Sequence, residues 1–252
     1  MKPAPGPEPR LVVGIQPVRE AIAAHGEKLE RVLLAKDGGP KIDAVARFAE
    51  GRGAKVERVD KKELDRLARG AYHQNAIAFA PDLTFVSLDQ VIARDGALVL
   101  ALDELEDPQN FGAILRSAVA LGATAVVWPE HHSAPLTAAT FRASAGAVEH
   151  AVLCRVGSLQ VALVELKKAG FFVVGLDANG TEEIAKVSLP RPLVLVVGAE
   201  GKGLRKPVKG ECDVLARLPM RGPVASLNAS VAAALALYEA TRAIDAPPSS
   251  ST

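Results

Sequence analysis

Three polar islands interrupt an otherwise apolar stretch of this chain, and each follows a run of residues suited to a buried strand. The first covers residues 103–116, DELEDPQNFGAILR. An acidic loop leads to Pro108 and Asn110, which open a helix, and Arg116 follows less than two helical turns later. Both side chains can therefore serve the same end of a sheet. The plain structural readings are a capping Asn and a solvated Arg. The second island covers residues 193–204, LVLVVGAEGKGL, where an apolar strand runs into Gly198, Gly201 and Gly203 around the lone acid Glu200. Glycines let a backbone come close to a ligand. Neither the phosphate loop GxxxxGK[ST] nor the dinucleotide fingerprint GxGxxG is present, which excludes the usual nucleotide-dependent oxidoreductase. A tight strand-to-helix turn is the plainer alternative. Lys202, Arg205, Lys206 and Lys209 follow, either as a solvated face or as phosphate holders.

The third island covers residues 218–230, LPMRGPVASLNAS, ahead of an alanine-rich helix with Leu227, Val231, Leu235 and Tyr238 at helical spacing. Ser226 is well placed to cap that helix, whereas Asn228 in its first turn has no evident structural need. The apolar, irregular segment 220–225 offers backbone donors and Met220 to a flat aromatic ring. Other tempting residues carry less. His131 and His132 lack a metal partner at suitable spacing, and His73 in YHQN reads as an RNA contact or, more simply, a loop residue. Ser144 has no GxSxG elbow.

The elements that must position these islands follow an α/β pattern. Strands are expected at 12–15, 31–35, 55–59 and 75–80, with helices at 16–25, 41–52 and 61–69 between them, giving a small unit over residues 10–82. A linker with a short helix spans 83–96. A second unit over 97–245 has strands at 97–102, 125–128, 172–176, 193–197 and 214–217, and helices at 110–121, 137–145, 158–169 and 227–242. Its strands lack alternation, as parallel strands covered on both faces do. Residues 1–9 and 246–252 read as disordered tails.

Composition sets the outer limits. The chain has 252 residues, 49% apolar and 23% charged, which supplies one or two globular cores. Net charge is +1, but residues 1–83 carry 15 Lys+Arg against 12 Asp+Glu, a weak pointer to a polyanion. Two cysteines cannot build a disulfide framework and fit a reduced, cytoplasmic compartment. The proline-rich start has no apolar core for a secretory signal, and no run reaches membrane-spanning length.

Taken in order and spacing, the islands resemble the three motifs of the SpoU-type (TrmH-like) RNA 2′-O-ribose methyltransferases. DPQNFGAILRSA (107–118) is similar to motif one, LVLVVGAEGKGL (193–204) to motif two and LPMRGPVASLNASVAAALALYEA (218–240) to motif three. The stretch 143–159 and the front unit, VVGIQPVREAI through YHQNAIAFA, also resemble the family, so the likeness covers nearly the whole chain. It implies a trefoil-knotted SPOUT-type α/β methyltransferase domain behind a small RNA substrate-binding domain. It further implies S-adenosylmethionine as cofactor, RNA as substrate, a homodimer with active sites at the subunit interface, and no metal or membrane. Gly198, Ala199, Gly201, Leu218, Met220 and Leu227 match cofactor-holding positions. Asn110, Arg116, Glu200, Ser226 and Asn228 match the family's functional polar residues, the last three also lying at the cofactor. By the resemblance, Arg116 assists loss of the 2′-hydroxyl proton, either as a base in an unusual environment or by clamping a phosphate. Asn110 and Glu200 position groups, while Ser226 and Asn228 order the motif-three loop and the ribose. The two-domain layout is most similar to members that methylate a guanosine of 23S ribosomal RNA. Transfer RNA, another ribosomal site, or a non-catalytic RNA-binding role are the alternatives.

Overall fold

In the computed structural model of the chain, residues 9–223 and 226–245 are described. The expected tails at 1–9 and 246–252 lie outside them, apart from Pro9. The chain forms two units, one of residues 1–84 together with 145–150, the other of 85–144 together with 151–252.

The first unit runs β1 (Arg10–Val13), α1 (Ile15–His25), β2 (Arg31–Ala35), α2 (Gly39–Glu50), β3 (Val56–Val59), α3 (Lys61–Ala68) and β4 (Ala76–Ala80). The sheet order is β1-β4-β2-β3, with β4 antiparallel to β1 and β2, and β2 parallel to β3. Successive strand residues point to opposite faces. Val32, Leu34, Ala76 and Ala78 therefore pack with Val18 and Ile22 of α1 and with Ile42 and Val45 of α2. Leu33 and Ile77 meet Leu64 and Ala68 of α3 on the other face. Both faces are covered, which explains why apolar residues run on without alternation. In the same unit Glu149, with its side chain 1% exposed, accepts hydrogen bonds from Arg10 Nη1 (2.8 Å) and Nη2 (2.5 Å) and pairs with His25 Nε2 at 2.9 Å. Burial pushes its carboxyl up, but His25 and Arg10 outweigh that and hold it below the usual carboxylate range.

The second unit begins with α4 (Leu88–Ile92). Ser87 and Gln90 cap it reciprocally, and Val91 is fully buried in the core beside Val86, Leu88 and Ile92. Residues 85–92, which the sequence presents as linker, are thus packed. Then follow β5 (Leu98–Asp103), α5 (Pro108–Ala120), β6 (Ala125–Pro129), α6 (Ala138–Ala143), β7 (Leu153–Val156), α7 (Leu159–Lys168) and β8 (Phe172–Leu176). The chain continues with β9 (Glu182–Glu183), β10 (Leu193–Gly198), α8 (Lys206–Glu211), β11 (Val214–Arg217) and α9 (Ala229–Asp245). Three of these elements escape the sequence pattern. β7 is a short strand carrying an exposed Arg155, β9 has two residues, and α8 holds both Pro207 and Gly210, poor helix formers.

All pairings in the seven-stranded sheet β7-β6-β5-β10-β8-β11-β9 are parallel. From β5 the chain moves outward through β6 and β7. β10 later enters between β5 and β8, and the chain then leaves toward β11 on the opposite side. The carboxyl ends of β5 and β10 are adjacent, with Gly198 in register with Asp103. Such a reversal opens the crevice in which parallel sheets hold ligands. α9 packs on α5 and β10. Its buried face is Ala229, Ala233, Ala236, Leu237 and Ala240, small side chains that allow close approach. Among the described residues no helix is long and apolar enough to cross a membrane.

Candidate functional site

The N-terminus of α5 is fixed from two sides. Asp107 caps it, accepting from Gln109 N–H (3.2 Å) and Asn110 N–H (3.0 Å), with Pro108 at the first helical position. The capping role open to Asn110 therefore falls to Asp107, and the Asn110 side chain is available for other work. Gly112 presses on α6: a Cβ there would stand 2.3 Å from the Thr140 carbonyl oxygen. Phe111 meets the Trp128 ring edge-on at 5.2 Å between centroids.

The loop after β10 is built from close backbone contact. A Cβ on Gly198 would lie 2.3 Å from the Gly203 carbonyl group, so only glycine fits. Gly203 N–H donates back to Ala199 O at 2.9 Å, and Gly201 and Gly203 adopt φ of 79° and 65°. Beyond the loop, Arg205 donates through its backbone N–H and Nε to the fully buried Asp103 carboxylate, each at 2.8 Å, and also pairs with Glu104 at 3.0 Å. The hydrogen bond to Asp103 pushes the Arg205 guanidinium up. Asp103 thereby ties the glycine loop to the end of β5. Sequence reasoning did not single it out as a site residue, because a carboxylate at a strand end reads as a loop acid until its burial is known.

The three islands meet in one hydrogen-bonded cluster. Asn228 Nδ2 donates to Asn110 Oδ1 at 2.9 Å and to Glu200 Oε2 at 3.3 Å, and Asn110 Nδ2 reaches Glu200 Oε2 at 3.4 Å. The amide orientation is fixed by chemistry. Asn228 Oδ1 accepts from Ser230 N–H (2.8 Å) and Ser230 Oγ (2.6 Å), so its Nδ2 faces the other two groups. The Asn228 carbonyl also accepts from Ala232 N–H at 3.0 Å. Asn228 is thus the N-cap of α9. The expectation that Ser226 fills that position is corrected: α9 starts at Ala229, and Ser226 lies two residues before its cap, exposed, in the cleft wall.

A cleft of about 300 Å³ opens beside the cluster. Its apolar walls come from Leu176, Val197, Ala216, Leu218, Met220 and Leu227, and its floor from the backbone of residues 198–203. Gly198, Ala199, Glu200, Gly201, Leu218, Met220, Ser226 and Leu227 all line it. Asn228 borders it through Glu200. Sequence reasoning passed over Asp177 and Asn179, which follow β8, and left Lys209 as a solvated or phosphate-binding residue. All three line the cleft, and Asp177 pairs with Lys209. Burial pushes the Asp177 carboxyl up, but Lys209 and the Asn179 N–H, donating at 2.9 Å, hold it below the carboxylate range. The signal was available: the run FVVGL ends at a polar DANG turn, as the other islands end their strands.

Arg116 does not join the cluster. It is exposed, on the second turn of α5 beyond Asn110 and roughly 240° around the helix from it, with no ion pair among the described residues. His131 and His132 are exposed. Ser144 is buried with Oγ donating to Phe141 O at 2.9 Å, a structural use of the hydroxyl. The arrangement suits a molecule with a flat ring and several polar arms. Its apolar walls and backbone donors are suited to the ring, and the Asn110–Glu200–Asn228 cluster to polar groups beside it.

Known proteins with this organisation are similar along nearly the entire chain. The family model of the SpoU rRNA Methylase family matches residues 97–238, and the RNA 2′-O ribose methyltransferase substrate binding model matches residues 11–86. YacO of Bacillus subtilis (strain 168), named for the TrmH family of tRNA/rRNA methyltransferases, is 38% identical over 92% of this chain and 94% of its own. The SpoU methyltransferase AviRb from Streptomyces viridochromogenes, solved with AdoMet, is 26% identical with a TM-score of 0.77. That match covers 95% of this chain and 91% of AviRb. A solved RNA 2′-O ribose methyltransferase is 29% identical with a TM-score of 0.77, over 94% of this chain and 89% of that one.

Proposed function

The chain belongs to the SpoU rRNA methylase family and is an S-adenosylmethionine-dependent RNA 2′-O-ribose methyltransferase; from this premise we propose that its acceptor is a guanosine of 23S ribosomal RNA, the RlmB-type reaction. The observation that carries the site assignment is the convergence of Asn110, Glu200 and Asn228 beside the glycine-floored cleft.

The cleft fits the cofactor on the chemistry of its lining. Leu218, Met220 and Leu227 offer apolar contact to an adenine ring, and the Gly198–Gly203 turn brings peptide groups within reach that any Cβ would block. Bound there, S-adenosylmethionine supplies an electrophilic methyl group. Ala199 and Gly201 contribute backbone contacts, and Ser226 lies on the same wall. Asn110 and Asn228 hold Glu200 in one orientation, so its carboxylate is set before the ribose arrives and needs no reorganisation during transfer. Arg116 has a separate task. A guanidinium is protonated near neutral pH. We therefore assign it the clamping of a phosphate next to the acceptor ribose, which makes the hydroxyl more acidic, so that its proton passes to solvent water as the oxygen attacks.

Two further features belong to this reading. The late entry of β10 between β5 and β8, followed by the return of α9 onto α5 and β10, supports the trefoil knot implied by the resemblance. Val231, Leu235 and Tyr238 form an exposed stripe along α9, 45%, 41% and 53% exposed. An apolar stripe at this spacing supports a homodimer.

The test is methyl transfer from labelled S-adenosylmethionine to protein-free 23S, 16S and transfer RNA, followed by mapping of the 2′-O-methyl position. A single guanosine in 23S RNA is the expected result. Modification of transfer RNA or 16S RNA would keep the reaction and overturn the target.

A further inference from the structure

One end of the first unit's sheet gathers the ends of β1, β2 and β3 and the start of β4. Val13 pairs with Ile77, Leu34 with Ala76, and Ala35 with Val59. The loop 69–75 between α3 and β4 lies at this end. Three of its non-glycine residues occupy the left-handed region, Arg69 (φ 47°), Gln74 (φ 50°) and Asn75 (φ 65°), beside Gly70 at 87°. Such backbone costs on the order of 1 kcal/mol per residue and persists only where surroundings impose it.

The restraints are visible. His73, 5% exposed, accepts the Asn75 N–H at its Nδ1 (3.0 Å), so in the neutral ring Nε2 carries the proton and donates to Asp65 Oδ1 at 2.9 Å. Gln74 Oε1 accepts from Ile15 N–H at 3.1 Å, and Asn75 O from Ala35 N–H at 3.1 Å. Between these anchors Tyr72 is 83% exposed, the most exposed large apolar side chain among the described residues. A strained loop is therefore anchored on both sides of an aromatic ring that is left largely to solvent.

The approach to that ring is cationic. α3 and the loop carry Lys61, Lys62, Arg66 and Arg69, all exposed and without an ion pair among the described residues. Lys62 and Arg66, four residues apart, share one face of α3, and Arg69 follows at its C-terminal end, where the loop begins. Of the two acids in the same stretch, Asp65 is engaged by His73. A cationic stripe leading to a rigid, solvent-facing ring is the pattern that binds unpaired nucleotides, with phosphates on the charges and a base on the ring.

We propose that the 69–75 loop is a stacking site for an unpaired base of the RNA substrate, with Tyr72 as the platform and Lys62, Arg66 and Arg69 as holders of the flanking phosphates. The proposal rests on the RNA-methyltransferase reading but places a recognition site outside the catalytic unit.

The experiment uses the full chain and two fluorescein-labelled probes, an RNA hairpin with an unpaired loop and a blunt duplex of the same stem. Tyr72→Ala should weaken hairpin binding roughly 5- to 100-fold, the usual loss for one base stack, and leave duplex binding unchanged. Tyr72→Phe should retain affinity. Tyr72→Trp should retain it too and show fluorescence quenching by the hairpin, against a constant background from Trp128, which is buried. Arg66→Gln should weaken both probes and flatten the salt dependence. Unchanged hairpin affinity in Tyr72→Ala, or no RNA binding by the wild type, overturns the stacking site. Methyl transfer is followed in parallel. Transfer that persists while Tyr72→Ala alters neither binding nor KM sinks the stacking site alone, whereas RNA held through Tyr72 without any transfer sinks the catalytic reading alone.

Discussion

Each unit gathers polar loops at one end of a sheet covered on both faces, but the two ends are finished in opposite ways. In the catalytic unit the end of the sheet is made of backbone and of polar groups that bond one another: Asn228 to Asn110 and Glu200, Asp103 to Arg205, Gly203 to Ala199. At the front unit's sheet end, His73, Gln74 and Asn75 bond to hold the loop, and Tyr72 and the α3 cations, the proposed recognition groups, are left outward. The difference follows from ligand size. In the proposed function a small cofactor is gripped by groups that are already oriented and close, and at Gly198 a single added carbon is too much. A long RNA is met by exposed side chains that can change without disturbing the scaffold beneath them.

The largest expected effect separates chemistry from cofactor binding inside the catalytic unit. Arg116→Ala should lower kcat by about 10²- to 10³-fold, the scale of losing one transition-state donor. Calorimetric affinity for S-adenosylmethionine should hardly move, because Arg116 stands apart from the cleft lining. A parallel fall in both would remove its separate role. Next comes the scaffold of the front unit. Glu149→Gln breaks a buried charge cluster and should destabilise that unit by about 3 kcal/mol, read as faster amide exchange in β1 and α1. The wild type carries the matching pH dependence. Its Glu149 carboxyl lies below the ordinary value of 4.5, so the stabilisation is complete above that value and is lost as pH falls through the lower folded one. Melting of the front unit should therefore drop in acid for the wild type and change less for Glu149→Gln.

A smaller effect sharpens the contrast between backbone-built and side-chain-built sites. Gly198→Ala forces the carbonyl of Gly203 aside and should weaken S-adenosylmethionine binding about 10- to 50-fold, consistent with 1–3 kcal/mol of overpacking, while binding of the hairpin RNA stays intact. If cofactor affinity survived, the turn would not be the cofactor's floor. The smallest effect is a null one. Burial pushes the Cys154 thiol up to about 11 and the Cys212 thiol up to about 12. Neither should react with iodoacetamide at pH 8 in the folded protein, and both should once it is denatured, as mass spectrometry would show.

Much of the architecture is legible in the residues. β2, β8 and β11 have the bounds their residues predict, and the alternation of strand and helix signals in the front unit is the order observed. β7, β9 and α8 are hidden for local reasons: too short, too charged, or interrupted by Pro207 and Gly210. In the site, residue types at strand ends pointed to Asn110, Glu200 and Asn228, but not to the way they bond. The cap expected of Ser226 falls to Asn228, which also bonds Asn110 and Glu200, because a cap is defined by where the helix starts, and packing of α9 on α5 and β10 accompanies a start at Ala229. Likewise YHQN does not reveal which aromatic side is buried; His73 turns inward to restrain the loop and Tyr72 turns out.

By itself the sequence determined which long apolar runs are buried, where glycines permit tight turns, and which polar residues follow apolar strands, because these are local consequences of side-chain size, branching and polarity. Only the tertiary structure decided that β10 enters between β5 and β8, that Asp103 becomes a buried anchor for Arg205, and that three islands up to 118 residues apart share hydrogen bonds. Strand order is chosen by the joint packing of distant faces, a quantity that no local window of residues contains.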